Sequence, residues 1–205
     1  MKLKEKLVSK FQDLRKKVQN TITKPLVPLI SKLHLTPDAM TISGVVLNLI
    51  AAVVIGFGHL LIGGIIFLLA GLFDMLDGAL ARYMKKVSKF GALFDSVSDR
   101  VTEGALFLSF IFITSVAVWP FSVVWELVLI FLAMIGSFLT SYIRARAEGL
   151  GIDCTVGLFT RPERVIILAL GLLLSQVFVA LAIVVVLSFV TVGQRFIFVW
   201  QQAKK

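Results

Sequence analysis

Apolar stretches of near-membrane length fill this chain from residue 38 to residue 199, and they constrain its fold more than any other feature. At 1.5 Å per residue, about 20 apolar residues in a helix cross the hydrocarbon core of a bilayer. Six such spans are predicted, over 38–57, 61–83, 89–117, 121–147, 162–176 and 178–199. Hydrophobic residues make up 58% of the 205 and charged residues only 16%, against about a quarter charged in an ordinary soluble domain. The last two spans are separated at Ser175 and Gln176. Fused, they would form one helix of roughly 38 residues, which a bilayer does not accommodate readily. The expected fold class is therefore all-α integral membrane, with a six-helix domain over 25–205.

Charge placement supports that count. The loops near 58–60, 118–120 and 175–177 fall on one side of the membrane and contain no Lys or Arg. All 21 basic residues fall on the other side, or in the halves of the spans nearest it. The positive-inside rule makes that side cytoplasmic. The chain is expected in the cell membrane as a multi-pass protein, with both termini inside and membrane lipids around it. The basic residues are read as topology and headgroup contact, and no nucleic-acid partner is expected.

Residues 1–24 form a separate region, expected as an amphipathic juxtamembrane helix. Leu3, Leu7, Phe11, Leu14, Val18 and Ile22 recur at helical spacing, while Lys4, Lys6, Lys10, Lys16 and Lys17 fall elsewhere. Such a helix lies in the interface beside anionic headgroups. Pro25 and Pro28 are expected to end it. Thr36 then caps the first span, with Pro37 at its first position and Asp38 near its positive end. No short apolar segment with a cleavage site precedes that span, so a cleaved secretory signal is not expected. The lone Cys154 cannot form an intramolecular disulfide and reads as a packing or loop residue. His34 and His59 stand apart from any carboxylate cluster and are assigned no metal.

Four aspartates interrupt the apolar pattern: Asp74 and Asp77 on the second span, Asp95 and Asp99 on the third. A carboxylate at membrane depth is expensive and is kept where it meets a cation, a proton path or water. Asp74 and Gly78 lie four apart, as do Asp77 and Ala81, Gly78 and Arg82, and then Gly91, Asp95 and Asp99. Residues at that spacing share a helix face. Two helices would thus each present a stripe of carboxylates beside a glycine. Hard oxygen ligands suit Mg²⁺ or Mn²⁺ rather than zinc, and two divalent cations held by four carboxylates would neutralise a diphosphate. The glycines and Ala81 would let a flat ligand approach the backbone, and Arg82 would reach a phosphate oxygen. Taken alone, Gly78 and Ala81 could be packing residues and Arg82 a snorkelling end charge. Four clustered carboxylates have no such alternative, because their repulsion demands cations.

The string Asp74-x2-Asp77-Gly78-x2-Ala81-Arg82-x8-Gly91-x3-Asp95-x3-Asp99 resembles the complete signature of the CDP-alcohol phosphatidyltransferases. Within that family, the DSVSDR ending, SYIRARAEGLG over 141–151, RPER over 161–164 and TVGQR over 191–195 resemble the phosphatidylinositol phosphate and archaetidylinositol phosphate synthases. The resemblance implies transfer of a phosphatidyl or ether-lipid phosphate group from a CDP-linked lipid to an alcohol, with release of CMP. It implies that Asp74, Asp77, Asp95 and Asp99 hold two metals and that Asp99 deprotonates the acceptor hydroxyl. It assigns Pro37, Asp38, Ala39, Met40, Gly78, Ala81, Arg82 and Ser88 to the CDP-lipid, and it implies a homodimer. The PDAM run departs from the commoner SPNxxT-like version by carrying Asp38 where Asn is frequent.

Arg144, Arg146, Arg161, Arg164 and Arg195 gather at cytoplasmic helix ends. Each alone satisfies the positive-inside pattern. Together they suit bidentate phosphate recognition, so a phosphorylated acceptor is expected, held by Arg144, Arg161, Arg164 and Arg195. The subfamily-like strings make it inositol 1-phosphate. Glycerol 3-phosphate is the alternative with the same chemistry. A cation transporter is a remote one, since intramembrane aspartates also mark ion pathways.

Overall fold

The computed structural model describes residues 21, 23–32, 36–114 and 122–204, and among these every regular element is an α-helix. After a helical stretch over residues 23–32, they are in chain order α1 (Pro37–Gly56), α2 (Leu60–Tyr83), α3 (Lys89–Thr114), α4 (Val123–Gly149), α5 (Arg161–Leu173) and α6 (Val177–Gln202). The expected interfacial helix over 1–24 lies almost wholly outside the described residues.

Local chemistry sets the boundaries. Thr36 Oγ1 accepts a hydrogen bond from Ala39 N at 3.2 Å, ahead of Pro37 and Asp38, and caps α1 as the sequence predicts. At α5, the Glu163 carboxylate accepts from the backbone N and hydroxyl of Thr160 at 2.8 and 2.7 Å. The chain turns between α5 and α6 at Ser175, whose φ is +54°, so the break falls where it was expected. One expectation fails. Residues 23–32 are helical and contain both Pro25 and Pro28. Val27 of this stretch packs with Met40, Leu76 and Leu80, and that burial keeps the segment helical despite its prolines.

Helices α1, α2, α4 and α6 are long and apolar enough to cross a membrane. Helix α3 has the length, but it carries Lys89, Asp95, Asp99, Arg100 and Glu103 over residues 89–103. Helix α5 has 13 residues, about 20 Å, which falls short of a core of about 30 Å. Large apolar side chains face outward along the bundle, among them Phe57, Phe112, Trp125 and Val186, a surface suited to lipid and not to water.

Helix α1 packs on α2 and α3, α2 on α5, α3 on α4, and α6 on both α4 and α5. The main core joins Phe107 and Phe110 of α3 to Leu168 and Leu172 of α5 and Leu181 and Val184 of α6. A Cβ added to Gly171 would lie 2.3 Å from the Ala180 Cβ, so α5 and α6 touch backbone to side chain at their hairpin. The alternating helices bring the starts of α1, α3 and α5 and the ends of α2, α4 and α6 to one end of the bundle. The charged residues collect there.

Candidate active site at one end of the bundle

Asp74 of α2 and Asp95 and Asp99 of α3 converge at this end, with one carboxylate oxygen from each lying within 4.8 Å of the others. The four-residue spacing of Asp95 and Asp99 turns both toward α2. Arg161, at the first position of α5, reaches into the cluster: its Nη1 contacts Asp74 and lies 2.9 Å from Asp99 Oδ1. Arg100 Nη1 stands 3.6 Å from the other oxygen of Asp99. Carboxylate oxygens at this mutual separation, with no nitrogen or sulfur among them, are the donor set of a hard divalent cation. The residues fit Mg²⁺ or Mn²⁺.

Asp77 sits apart from those three. It is 5% exposed, its Oδ2 accepts from the Thr41 hydroxyl at 2.7 Å, and its Oδ1 accepts from Gly78 N. The carboxylate is thereby held toward α1. Thr41, which no sequence motif marks, thus orients the Asp77 carboxylate.

The residues expected to meet the CDP-lipid lie in the first turn of α1, near the end of α2 and just before α3. A Cβ built on Gly78 meets only Arg82 Nη1, at 3.5 Å, so the Gly78 backbone is overlain by a guanidinium and by no bulky side chain. Ala81 is half-buried, whereas Arg82, Asp38 and Ser88 are exposed. Ser88 Oγ accepts from Gly91 N at 2.9 Å and caps the start of α3. Pro37 and Ala39 lie half-buried in the first turn of α1. Met40 is different: its side chain is 4% exposed and belongs to the core around Leu76 and Leu80. That side chain is directed to packing.

A cleft of about 310 Å³ opens beside Asp95 and Asp99, and Arg144, Arg161, Arg164 and Arg195 line it. The four arginines are not equivalent. Arg144 is exposed and pairs with Glu148 at 2.8 Å. Arg164 is 1% exposed, with Nε 2.9 Å from Glu103 Oε1 and Nη1 3.0 Å from Thr140 Oγ1. Arg195, 3% exposed, donates from Nε to the Val156 carbonyl at 2.9 Å and from Nη1 to the Thr140 carbonyl. It fastens the 150–160 loop over α6 as well as facing the cleft. Gly157 makes that loop possible: its φ is +130°, and a Cβ there would stand 2.8 Å from Thr191 and 3.0 Å from Arg195 Nε. Cys154 is buried in the same loop, and burial pushes its thiol pKa up, which keeps it protonated. Arg146 is exposed and is absent from the cleft lining. Glu103 and Thr140 were also passed over in the sequence. Glu103 could have been found, since it continues the Asp95–Asp99 stripe by four residues; Thr140 carries no such signal.

Residues 34–199 match the family model described as CDP-alcohol phosphatidyltransferase. The chain belongs to that family. As a CDP-alcohol phosphatidyltransferase it is similar to the phosphatidylinositol phosphate synthase of Mycobacteroides abscessus, 38% identical over 182 residues, which cover 85% of this chain and 81% of that protein. It is also similar to the archaetidylinositol phosphate synthase of Methanothermobacter thermautotrophicus, 34% identical over 183 residues, covering 86% of this chain and 89% of that protein. Among solved structures, the phosphatidylinositol phosphate synthase of Mycobacterium tuberculosis with CDP-DAG bound superposes with a TM-score of 0.76 at 31% identity, covering 88% of this chain and 94% of that one. The same protein in complex with manganese and citrate also gives 0.76 at 31% identity, covering 87% and 88%. This phosphatidyltransferase therefore shares with those enzymes a whole-domain fold as well as a motif.

Proposed function

We infer that this phosphatidyltransferase moves the phosphatidyl group, or its ether-lipid counterpart, from a CDP-linked lipid to inositol 1-phosphate, releasing CMP and forming a phosphatidylinositol phosphate-type lipid. The observation that carries the reading is the cleft itself, in which the Asp95 and Asp99 carboxylates share a wall with four arginines. An alcohol that brings its own phosphate satisfies both halves of such a cleft. The hydroxyl would face the carboxylates, and the phosphate would face the guanidinium groups. The names of the relatives support inositol as the alcohol carrying that phosphate.

In the reaction, the acceptor oxygen bonds to the lipid-linked phosphorus and the bond from that phosphorus to the CMP oxygen breaks. The hydroxyl proton passes to Asp99, which borders both the aspartate cluster and the cleft. Asp74, Asp95 and Asp99 hold divalent metal, with Asp77 completing the set from its anchor on Thr41. Two ions bound there supply positive charge that offsets the diphosphate and stabilises the departing CMP. Gly78 and Ala81 leave room for the CDP moiety against α2. Arg82 supplies a phosphate contact, and Ser88 and the first turn of α1 border the nucleotide.

We further read all six helices as membrane-embedded, with residues 1–24 as an interfacial helix. Both termini and the active site face the cytoplasm, and the protein works as a homodimer in the cell membrane. The one-sided distribution of Lys and Arg supports this orientation. Calorimetry of CDP-lipid binding with and without chelator tests the chemical core of the proposal. Binding should weaken sharply when metal is stripped, because the diphosphate would then meet uncompensated carboxylates. Equal affinity in both conditions would remove the metal-bridged reading.

A further inference from the structure

The Glu103–Arg164 ion pair lies at the edge of the arginine-lined cleft. Arg164 has five N–H donors. Nε and Nη2 turn to the two oxygens of Glu103, at 2.9 and 3.4 Å, and Nη1 gives one hydrogen to Thr140 Oγ1 at 3.0 Å. One hydrogen on Nη1 and one on Nη2 remain, and Arg164 lines the cleft. Glu103 itself is not among the cleft-lining residues. It lies one helical turn beyond Asp99, with a side chain only 10% exposed.

We propose that Glu103 is a positioning residue for the acceptor site: it clamps Arg164 from behind, with Thr140 as the second anchor, so that the two spare guanidinium N–H groups are presented to the acceptor phosphate. This rests on the acceptor reading above and adds to it a residue that touches neither substrate. A long arginine side chain left loose must be ordered when the phosphate arrives, and that ordering weakens binding. Held by a bidentate carboxylate and a hydroxyl, its donors are in place beforehand. Thr140 extends the clamp, because its hydroxyl serves Arg164 while its carbonyl serves Arg195. Two cleft arginines are thus fixed through one residue of α4.

The sign of one substitution separates positioning from simple charge. Glu103→Gln removes a negative charge near the cleft, which through space would tighten an anionic acceptor. As a loss of positioning it should do the opposite, because the amide nitrogen cannot accept from Arg164. The test measures both substrates' KM, kcat and detergent melting temperature for the full chain with Mn²⁺, using the phosphorylated alcohol that the wild type consumes. The expected result is an acceptor KM raised about tenfold, equal to about 1.4 kcal/mol, with kcat and CDP-lipid KM within about twofold of wild type. Thr140→Val, which keeps the backbone carbonyl and deletes the other anchor, should shift acceptor KM in the same direction. It also serves if the Glu103 variant fails to fold. In an Arg164→Lys background, Glu103→Gln should add little further, since both act through one side chain.

An acceptor KM that is unchanged or lowered in both variants would overturn the proposal. So would losses spread equally over both substrates, which would make the pair general support for the fold. Failure of the wild type to use inositol 1-phosphate would instead count against the acceptor reading, and the clamp would then be tested on the phosphorylated alcohol found.

Discussion

Arg161 contacts two of the carboxylates assigned to metal, and its removal should have opposite effects on the two halves of the site. Its Nη1 touches Asp74 and lies 2.9 Å from Asp99 Oδ1, with the three side chains 21%, 27% and 13% exposed. The charge-assisted hydrogen bond to Asp74 contributes about 1.5–3 kcal/mol, and the ion pair with Asp99 a similar amount. Partial exposure to water reduces that by about half, which leaves roughly 2 kcal/mol of hold on the carboxylates. A divalent cation drawn to the same oxygens must face that charge or displace it. Arg161→Ala should therefore strengthen Mn²⁺ binding by roughly 30-fold. It should also raise the acceptor KM, because a cation is lost from the cleft wall. Titrating Mn²⁺ into the purified protein in detergent, with neither substrate present, measures the first effect directly. Acceptor saturation kinetics measure the second. Unchanged or weaker Mn²⁺ affinity in the variant would refute the idea that guanidinium and metal compete for these carboxylates.

Asp99→Asn keeps the shape but loses the proton acceptor, and CMP release should fall by about 10²-fold or more while CDP-lipid binding stays measurable; turnover above about a tenth of wild type would contradict the role given to Asp99. Gly157→Ala places a Cβ 2.8 Å from Thr191 in a residue with φ of +130° and should cost about 1–3 kcal/mol, read as a lower melting temperature in detergent. An unchanged melting temperature would show that the loop does not depend on that backbone conformation.

What the sequence revealed and what it hid divide along physical lines. Helix starts were legible because caps are local chemistry: Thr36, Pro37 and Asp38 act within one turn, and the Ser175 break lies where two spans would otherwise exceed bilayer thickness. The aspartate stripe was legible because four-residue spacing fixes a helix face before any tertiary contact exists. The prolines at 25 and 28 misled, since the burial of Val27 against α1 and α2 outweighs their local preference. Side-chain partners were hidden for a related reason. The orientation of Asp77 depends on Thr41, 36 residues away, and the anchoring of Arg164 depends on Glu103 and Thr140 from two other helices. No spacing rule within one element encodes such contacts. The four arginines could be grouped from sequence as phosphate ligands. Only the packed structure shows that two of them are buried and tied to protein groups, while Arg144 stays exposed and Arg161 reaches into the aspartate cluster.

The central claim is phosphatidyl transfer to a phosphorylated alcohol, and one product assay tests it most directly. Purified protein with CDP-lipid and Mn²⁺ would be offered inositol 1-phosphate, free inositol and glycerol 3-phosphate in parallel, with CMP release and lipid mass measured for each. The account predicts a new lipid that retains the inositol phosphate, formed only with metal, and little turnover with free inositol. A product from free inositol at comparable rate, or from glycerol 3-phosphate in preference to inositol 1-phosphate, would contradict it.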